Sequence, residues 1–121
     1  MPFDLIMVGI FNTIEKKMHQ YFEWDERKAK SNLKKHRVSF EEAAEVLGDE
    51  QGGRFHLDEF DDDHSEFEER RIIIGSHPED RSVILFICWT ERWRQGKRFT
   101  RIISARKAAQ RERLRYAENL R

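Results

Sequence analysis

Hydrophobic and polar residues alternate around Phe22 and Trp24, which are separated by more polar neighbours. This two-residue period predicts a short strand, and the acidic residue that ends it can cap a helix. The predicted helix covers 25–35 and has a narrow apolar side formed by Ala29 and Leu33. The rest of its surface is mostly cationic.

A capping box and an apolar stripe predict the second helix over 39–47. Ser39 and Glu42 occupy the two box positions, where each side chain binds the backbone NH of the other residue. Gly48 follows as a stop. Four apolar residues recur at the spacing of one helix face: Phe40, Ala43, Ala44 and Leu47.

Segments rich in Ile, Val and Phe predict the strands of the second half, at 54–57, 70–75, 82–89 and 98–104. The breaks at 77–80 and 94–97 are short enough for hairpins, so the last three strands form a predicted meander. Residues 105–118 lack Gly and Pro and predict a helix capped by Ser104. The predicted fold class is α+β, with two N-terminal helices, a small antiparallel β-sheet and a C-terminal helix.

A chain of 121 residues suits one compact domain. We assign 21–121 to that domain and 1–20 to an N-terminal extension that need not belong to its core. The single Cys88 lies in an apolar run and cannot form an internal disulfide, which favours a reducing cytoplasm. No segment approaches the roughly 20 apolar residues that span a membrane, so no membrane role is expected.

The formal net charge of zero hides a strong asymmetry. Residues 41–80 hold fifteen acidic and three basic side chains, whereas 81–121 hold twelve basic and three acidic ones. A basic C-terminal third predicts a polyanionic ligand, and the acidic middle could screen that surface or recruit a basic partner.

The residue types that bind metals and nucleotides lack the required spacing. The five histidines form no zinc motif, and there is no Gly-rich phosphate loop, so we expect neither a metal ion nor another cofactor. Three adjacent acids, 61–63, leave Mg²⁺ binding as the alternative to a solvated loop. Seven basic residues run from the last strand into the last helix and match phosphate oxygens, unless they form only a solvated surface: Arg98, Arg101, Arg106, Lys107, Arg111, Arg113 and Arg115.

Several sequence blocks occur together in a characteristic order. They are FEWDERKA at 22–29, NLKKH at 32–36, VSFEEA at 38–43, HS at 64–65, EER at 68–70, IG at 74–75 and IISAR at 102–106. In their order and spacing, these blocks resemble the BrnT toxin family over roughly 22–118. Residues 1–17 depart from the family as an extension, which makes Met18 an alternative start, and the hairpin at 92–97 is longer than in similar proteins.

The resemblance implies a RelE-like fold and a metal-independent endoribonuclease that acts as the toxin of a type II toxin-antitoxin system. It also implies a BrnA-type antitoxin that forms a heterotetramer with paired toxins. That antitoxin would repress the operon, so this chain would meet DNA only through it.

Metal-free RNA cleavage needs a base for the 2′-OH proton, cations for the phosphorane and an acid for the departing 5′-oxygen. Arginine stays protonated, so we expect Arg70, Arg101 and Arg106 to stabilise the transition state. Arg70 and Arg101 lie in strands with Ile at alternate positions, so both could project from one face. Glu69 or His36 is the expected base or acid.

The residues expected to bind RNA are Lys28, Lys35, Arg98, Lys107, Arg111, Arg113 and Tyr116. Three assignments have structural alternatives. His36 would suit the C-terminus of a helix, Glu69 could pair with a neighbouring arginine, and Tyr116 could pack against the sheet.

Two other functions remain open from the sequence. The basic residues would serve a non-catalytic nucleic-acid-binding module equally well. A degenerate toxin could instead retain only protein assembly, with the acidic segment 58–69 contacting a basic partner.

Overall fold

The computed structural model describes residues 4–8, 11–16, 20–49, 54–57 and 69–119. The strands there are β1 (Asp4–Val8), β2 (Phe11–Lys16), β3 (Gln20–Asp25), β4 (Arg54–Leu57), β5 (Arg70–His77), β6 (Asp80–Arg94) and β7 (Lys97–Lys107). The helices are α1 (Glu26–His36), α2 (Phe40–Gly48) and α3 (Gln110–Asn119). The predicted α+β class is confirmed, although three strands precede the first helix in the described part of the chain.

The described strands form one sheet in the order β1-β2-β3-β7-β6-β5-β4. All neighbouring strands are antiparallel except β3 and β7, which run parallel. The predicted antiparallel sheet is therefore corrected to a mixed one. A parallel pair requires a crossover connection, and α1 and α2 lie in the chain between these two strands.

The N-terminal segment adds two strands to the edge of the sheet. β1 pairs with β2, and β2 pairs with β3 in a register that sets Ile14 opposite Phe22. The division into an extension at 1–20 and a domain at 21–121 stays a prediction.

α1 begins where the sequence predicts. The Asp25 carboxylate accepts hydrogen bonds from the backbone NH groups of Arg27, at 2.8 Å, and Lys28, at 3.4 Å. The predicted apolar side is partly wrong, because Leu33 is 49% exposed. Asn32 is buried in its place because its amide satisfies backbone groups of neighbouring segments.

α2 confirms the capping box and the apolar stripe. Ser39 Oγ accepts from the Glu42 backbone NH, and Glu42 Oε1 accepts from the Ser39 backbone NH, each at 3.1 Å. The predicted stripe is buried throughout: Phe40, Ala43, Ala44 and Leu47.

The predicted boundary between the last strand and the last helix is wrong. β7 continues through Lys107, opposite Leu85 of β6, and α3 begins only at Gln110. Good helix formers therefore lie in a strand, because pairing with β6 satisfies their backbone and buries Ala105 completely. Glu112 then accepts from the Ala109 backbone NH at 2.7 Å, which starts α3 in place of the predicted Ser104 cap.

The two faces of the sheet carry different layers. The main core includes Trp24, Phe40 and Ile87 and lies between the sheet and α1 with α2, on what we call the helical face. On the opposite face, α3 contacts β4 and β5 and covers a smaller core of Ile74, Ile84 and Tyr116. Within the described ranges, no helix has the length and apolarity to cross a membrane.

Candidate nucleic-acid interface

One row across the sheet brings together residues that are distant in sequence. Arg70 of β5 is the cross-strand partner of Thr90 on β6. Thr90 is in turn the partner of Arg101 on β7, which pairs on its other side with Glu23 of β3. Directly opposed residues project from the same face, so the expectation that Arg70 and Arg101 share a face is confirmed.

Arg106 projects from this same face. It lies opposite Phe86, which lies opposite Ile74. Its row is four residues along β6 from that of Arg101, a distance of about 13 Å at the rise of a strand. We call this side of the sheet, which bears Arg70, Arg101 and Arg106, the arginine face.

A β-bulge makes the shared face possible. Arg101 and Arg106 are separated by an odd number of positions, so regular alternation would direct them to opposite faces. The register shifts between Cys88 and Trp89, whose partners are Ser104 and Ile102. The extra residue on β7 restores both arginines to one side.

Arg106 is held by α3. Its two terminal nitrogens donate to the two carboxylate oxygens of Glu112 at 2.7 and 2.8 Å, and its guanidinium lies 4.0 Å from the centre of the Phe86 ring. The hydrogen bond to Arg106 lowers the pKa of Glu112, and the same bond raises the pKa of Arg106. Arg106 is therefore a fixed cation that already binds an oxyanion.

The other end of the arginine face contains a buried carboxylate that the sequence analysis missed. Glu23 is 0% exposed and accepts from Arg94 Nη1 at 3.0 Å and Nη2 at 2.7 Å. Arg101 Nη2 approaches the same carboxylate at 3.4 Å. The sequence contains one sign of this buried carboxylate, an acidic residue between the apolar Phe22 and Trp24. The two arginines that contact it lie more than 70 residues away in the chain, so local sequence does not reveal them.

Aromatic rings adjoin this network. Phe99 and Tyr21, partners in the pairing of β7 with β3, have ring centres 5.3 Å apart. The Arg94 guanidinium lies 4.2 Å from the centre of the Phe99 ring, and Lys97 Nζ lies 5.2 Å from that of Tyr21. This end of the face thus combines cations with aromatic surface.

Neither predicted proton-transfer residue joins the three arginines. The Glu69 carboxylate lies 3.5 Å from Arg71, whose partner Trp89 packs against the core of the helical face. The backbone oxygen of Glu69 accepts from Thr90 Oγ1 at 2.6 Å. His36 is exposed at the C-terminus of α1, on the helical face.

The predicted RNA-binding residues divide between the two faces. Lys28 and Lys35 are exposed on α1. Arg98 and Lys107 alternate with the arginine-face residues of β7 and so project toward the helical side. Arg111 and Arg113 are exposed on α3. Tyr116 is buried against Ile74 and Ile84, which is the packing alternative.

In the described part of the chain, no group of three or more His, Cys, Asp or Glu side chains is arranged to hold an ion. The three acids at 61–63, considered for Mg²⁺, lie outside the described residues, as does most of the acidic segment 58–69.

Comparison with known proteins identifies the family of this chain. Residues 24–112 match a family model described as the ribonuclease toxin BrnT of type II toxin-antitoxin systems. No curated protein matches the chain significantly. The family match covers most of the chain and contains all three residues that define the arginine face. The chain therefore belongs to the BrnT family of type II toxin-antitoxin ribonuclease toxins.

Proposed function

We propose that this chain is a cytoplasmic, metal-independent endoribonuclease that arrests translation and growth, and that a BrnA-type antitoxin neutralises it. The observation that most supports this function is that Arg70, Arg101 and Arg106 project from one face of the sheet. Such a face offers several fixed guanidinium groups to one RNA backbone.

The proposed chemistry is an internal transfer at phosphorus. The 2′-OH of a nucleotide gives its proton to a base, and its oxygen attacks the adjacent phosphorus. The bond to the 5′-oxygen breaks as an acid protonates that oxygen, which leaves a 2′,3′-cyclic phosphate and a 5′-OH. Negative charge grows on the phosphorane oxygens during attack. Arg101 is the proposed central cation, because it shares a row across the sheet with Arg70 and lies on the same strand as Arg106.

Proton transfer is assigned to Glu69, with His36 as the alternative. Glu69 immediately precedes Arg70, and its carboxylate lies 3.5 Å from Arg71 in a surface contact, which is weak in water. Rotation of an exposed side chain can bring its carboxylate to the edge of the arginine face. His36 would require RNA to reach around to the helical face.

The Glu112 carboxylate occupies the position at Arg106 that a phosphate would use. Carboxylate and phosphate both accept the two parallel hydrogen bonds of a guanidinium. RNA bound at Arg106 would therefore displace Glu112, and the exposed Arg111 and Arg113 of α3 are proposed to contact the flanking phosphates.

The partner assignment rests on the family. Type II systems pair a toxin with a protein antitoxin, and a heterotetramer with paired toxins is the proposed assembly. Contact with DNA is proposed to occur only through the antitoxin. Lys28, Lys35, Arg98 and Lys107 stay proposed RNA contacts of the helical face, separate from the arginine face.

Growth arrest on induced synthesis of the chain tests the proposal. Arg106→Glu should relieve the arrest and reduce RNA cleavage about a hundredfold or more, the usual effect of losing one transition-state donor. Arg106→Glu also sets a second carboxylate next to Glu112. Arg70→Gln avoids this repulsion and should likewise relieve the arrest and reduce cleavage. Lys30→Glu changes the charge equally at an exposed position of α1 and should stay toxic.

The cleavage assay separates the enzyme from a binding module. Cuts that persist in EDTA and end in 2′,3′-cyclic phosphate support the enzyme. Retention of RNA without cutting would support the non-catalytic module, which is favoured by the position of Glu69 and His36 away from the arginines. An Arg106→Glu variant that stays fully toxic at equal abundance would contradict the site assignment.

A further inference from the structure

The arginine face carries a second feature at its hairpin end, which no part of the proposed cleavage uses. Arg94 ends β6, next to a tight turn in which Gln95 and Gly96 have positive φ angles of 52° and 75°. Such a turn matches the twist of the two strands and sets the hairpin rigidly. The backbone that carries Arg94 is thus well defined.

The guanidinium of Arg94 is fixed along one edge. Both of its terminal nitrogens donate to Glu23, which is fully buried and also approached by Arg101. A buried carboxylate without partners is costly, so this pairing strongly restrains the guanidinium. Its positive charge is largely compensated by Glu23, which weakens Arg94 as a phosphate ligand.

The guanidinium of Arg94 is also fixed on one flat side. Phe99 packs against it with the ring centre 4.2 Å from Cζ, and Tyr21 supports Phe99. The side chain of Arg94 nevertheless remains 41% exposed. With its edge held by a carboxylate and one flat side backed by a ring, the guanidinium has its other flat side as the side on which a planar ligand would stack.

We propose that the Arg94 guanidinium is a stacking platform for a nucleobase of the RNA, next to the phosphate bound at Arg101. Bases stack on guanidinium planes and aromatic rings with little dependence on sequence. Because Arg94 and Arg101 share Glu23, the stacked base belongs to a nucleotide adjacent to the cleaved bond. This platform rests on the proposed function, since it takes RNA as its ligand.

Fluorescence of 2-aminopurine tests the platform, because stacking quenches it. The probe is a short single-stranded RNA with 2′-O-methyl groups throughout, which blocks cleavage, and with 2-aminopurine placed at each position in turn. Quenching by the full chain should concentrate at one position. Arg94→Lys keeps the charge beside Glu23 but removes the plane, so it should abolish that quenching and weaken binding about tenfold.

Arg81→Lys is the matched control. Arg81 also pairs with a carboxylate, that of Asp49, but lies at the opposite end of β6. The Arg81→Lys variant should bind RNA and quench the probe like the unmodified chain. Phe99→Leu removes the ring behind the guanidinium and leaves its carboxylate partner, so it serves if Arg94→Lys fails to fold, and it should reduce the quenching.

The outcomes distinguish this platform from the nuclease. Position-specific quenching without cleavage of unmodified RNA would support the platform and contradict the enzyme. Cleavage with equal quenching in the Arg94→Lys and unmodified chains would overturn the platform alone. Absence of any RNA binding would overturn both.

Discussion

At the scale of the residue, carboxylates organise the arginines of the proposed interface. Glu23 fixes Arg94 and approaches Arg101, and Glu112 fixes Arg106. Each carboxylate lowers the net charge that RNA would meet, but each also sets the direction of a long flexible side chain in advance. Less conformational entropy is then lost when a phosphate or a base binds.

The Glu112–Arg106 pair should make the free energy of unfolding depend on pH. The pKa of Glu112 is lower in the folded chain than in the unfolded one, mainly through its hydrogen bonds with Arg106. Its contribution is therefore present above the unfolded pKa and is lost as the pH falls through the folded pKa. Glu112→Gln should lower the free energy of unfolding by about 1 kcal/mol near neutral pH and by much less in acid.

Urea unfolding followed by circular dichroism at several pH values measures this difference. Glu118→Gln removes an exposed carboxylate from the same helix and provides the control. A loss of stability in Glu112→Gln that is equally large in acid would show that the carboxylate acts through packing rather than through its charge.

At the scale of the element, a polar side chain docks α1 on the sheet. The amide nitrogen of Asn32 donates to the backbone oxygens of Val38, at 3.0 Å, and Ala105, at 2.8 Å. Its amide oxygen accepts from the Ala105 backbone NH at 3.1 Å. One buried amide thereby joins α1 to the loop before α2 and to β7.

Replacing Asn32 should lower the free energy of unfolding more than replacing its apolar neighbour Leu33. Asn32→Leu leaves three buried backbone groups without this partner and should lower the free energy of unfolding by about 3 kcal/mol. Leu33→Ala, at a half-exposed position, should change it by about 0.5 kcal/mol or less. Denaturant unfolding of both variants checks the order, and a larger loss for Leu33→Ala would contradict it.

Elements differ in how far the sequence predicts them. The starts of α1 and α2 follow from hydrogen bonds that span two or three residues, so the local sequence contains all the partners. The end of β7 depends on a partner strand and on the amide of Asn32, 73 residues away from Ala105. A run of good helix formers therefore remained a strand.

At the scale of the whole molecule, binding of a polyanion cannot come from overall charge, because the formal net charge is zero. It must come from local groups of cations that the fold brings together. The arginine face collects cations from β5, β6 and β7, while α1 carries a second cationic surface on the other side of the sheet.

Salt dependence should show which face binds RNA. Each phosphate contact to single-stranded RNA contributes about 0.7 to the slope of the logarithm of affinity against the logarithm of salt concentration. Arg70→Gln and Lys35→Gln should each reduce the slope by about that amount, because both residues are proposed RNA contacts, whereas Lys30→Gln at an exposed position of α1 should leave it unchanged. A slope that Lys35→Gln leaves unchanged would show that RNA contacts the arginine face and not α1.

The sequence by itself determined the starts of α1 and α2, the apolar stripe of α2, the short turns and the family, because each depends on residues close together in the chain or on an ordered set of motifs. Only the tertiary structure decided which cations share a face of the sheet. The bulge opposite Cys88 and Trp89 brings Arg101 and Arg106 to one face, and Glu23 meets Arg94 across 71 positions of sequence. Register and long-range pairing arise from packing the whole sheet, which local patterns do not specify.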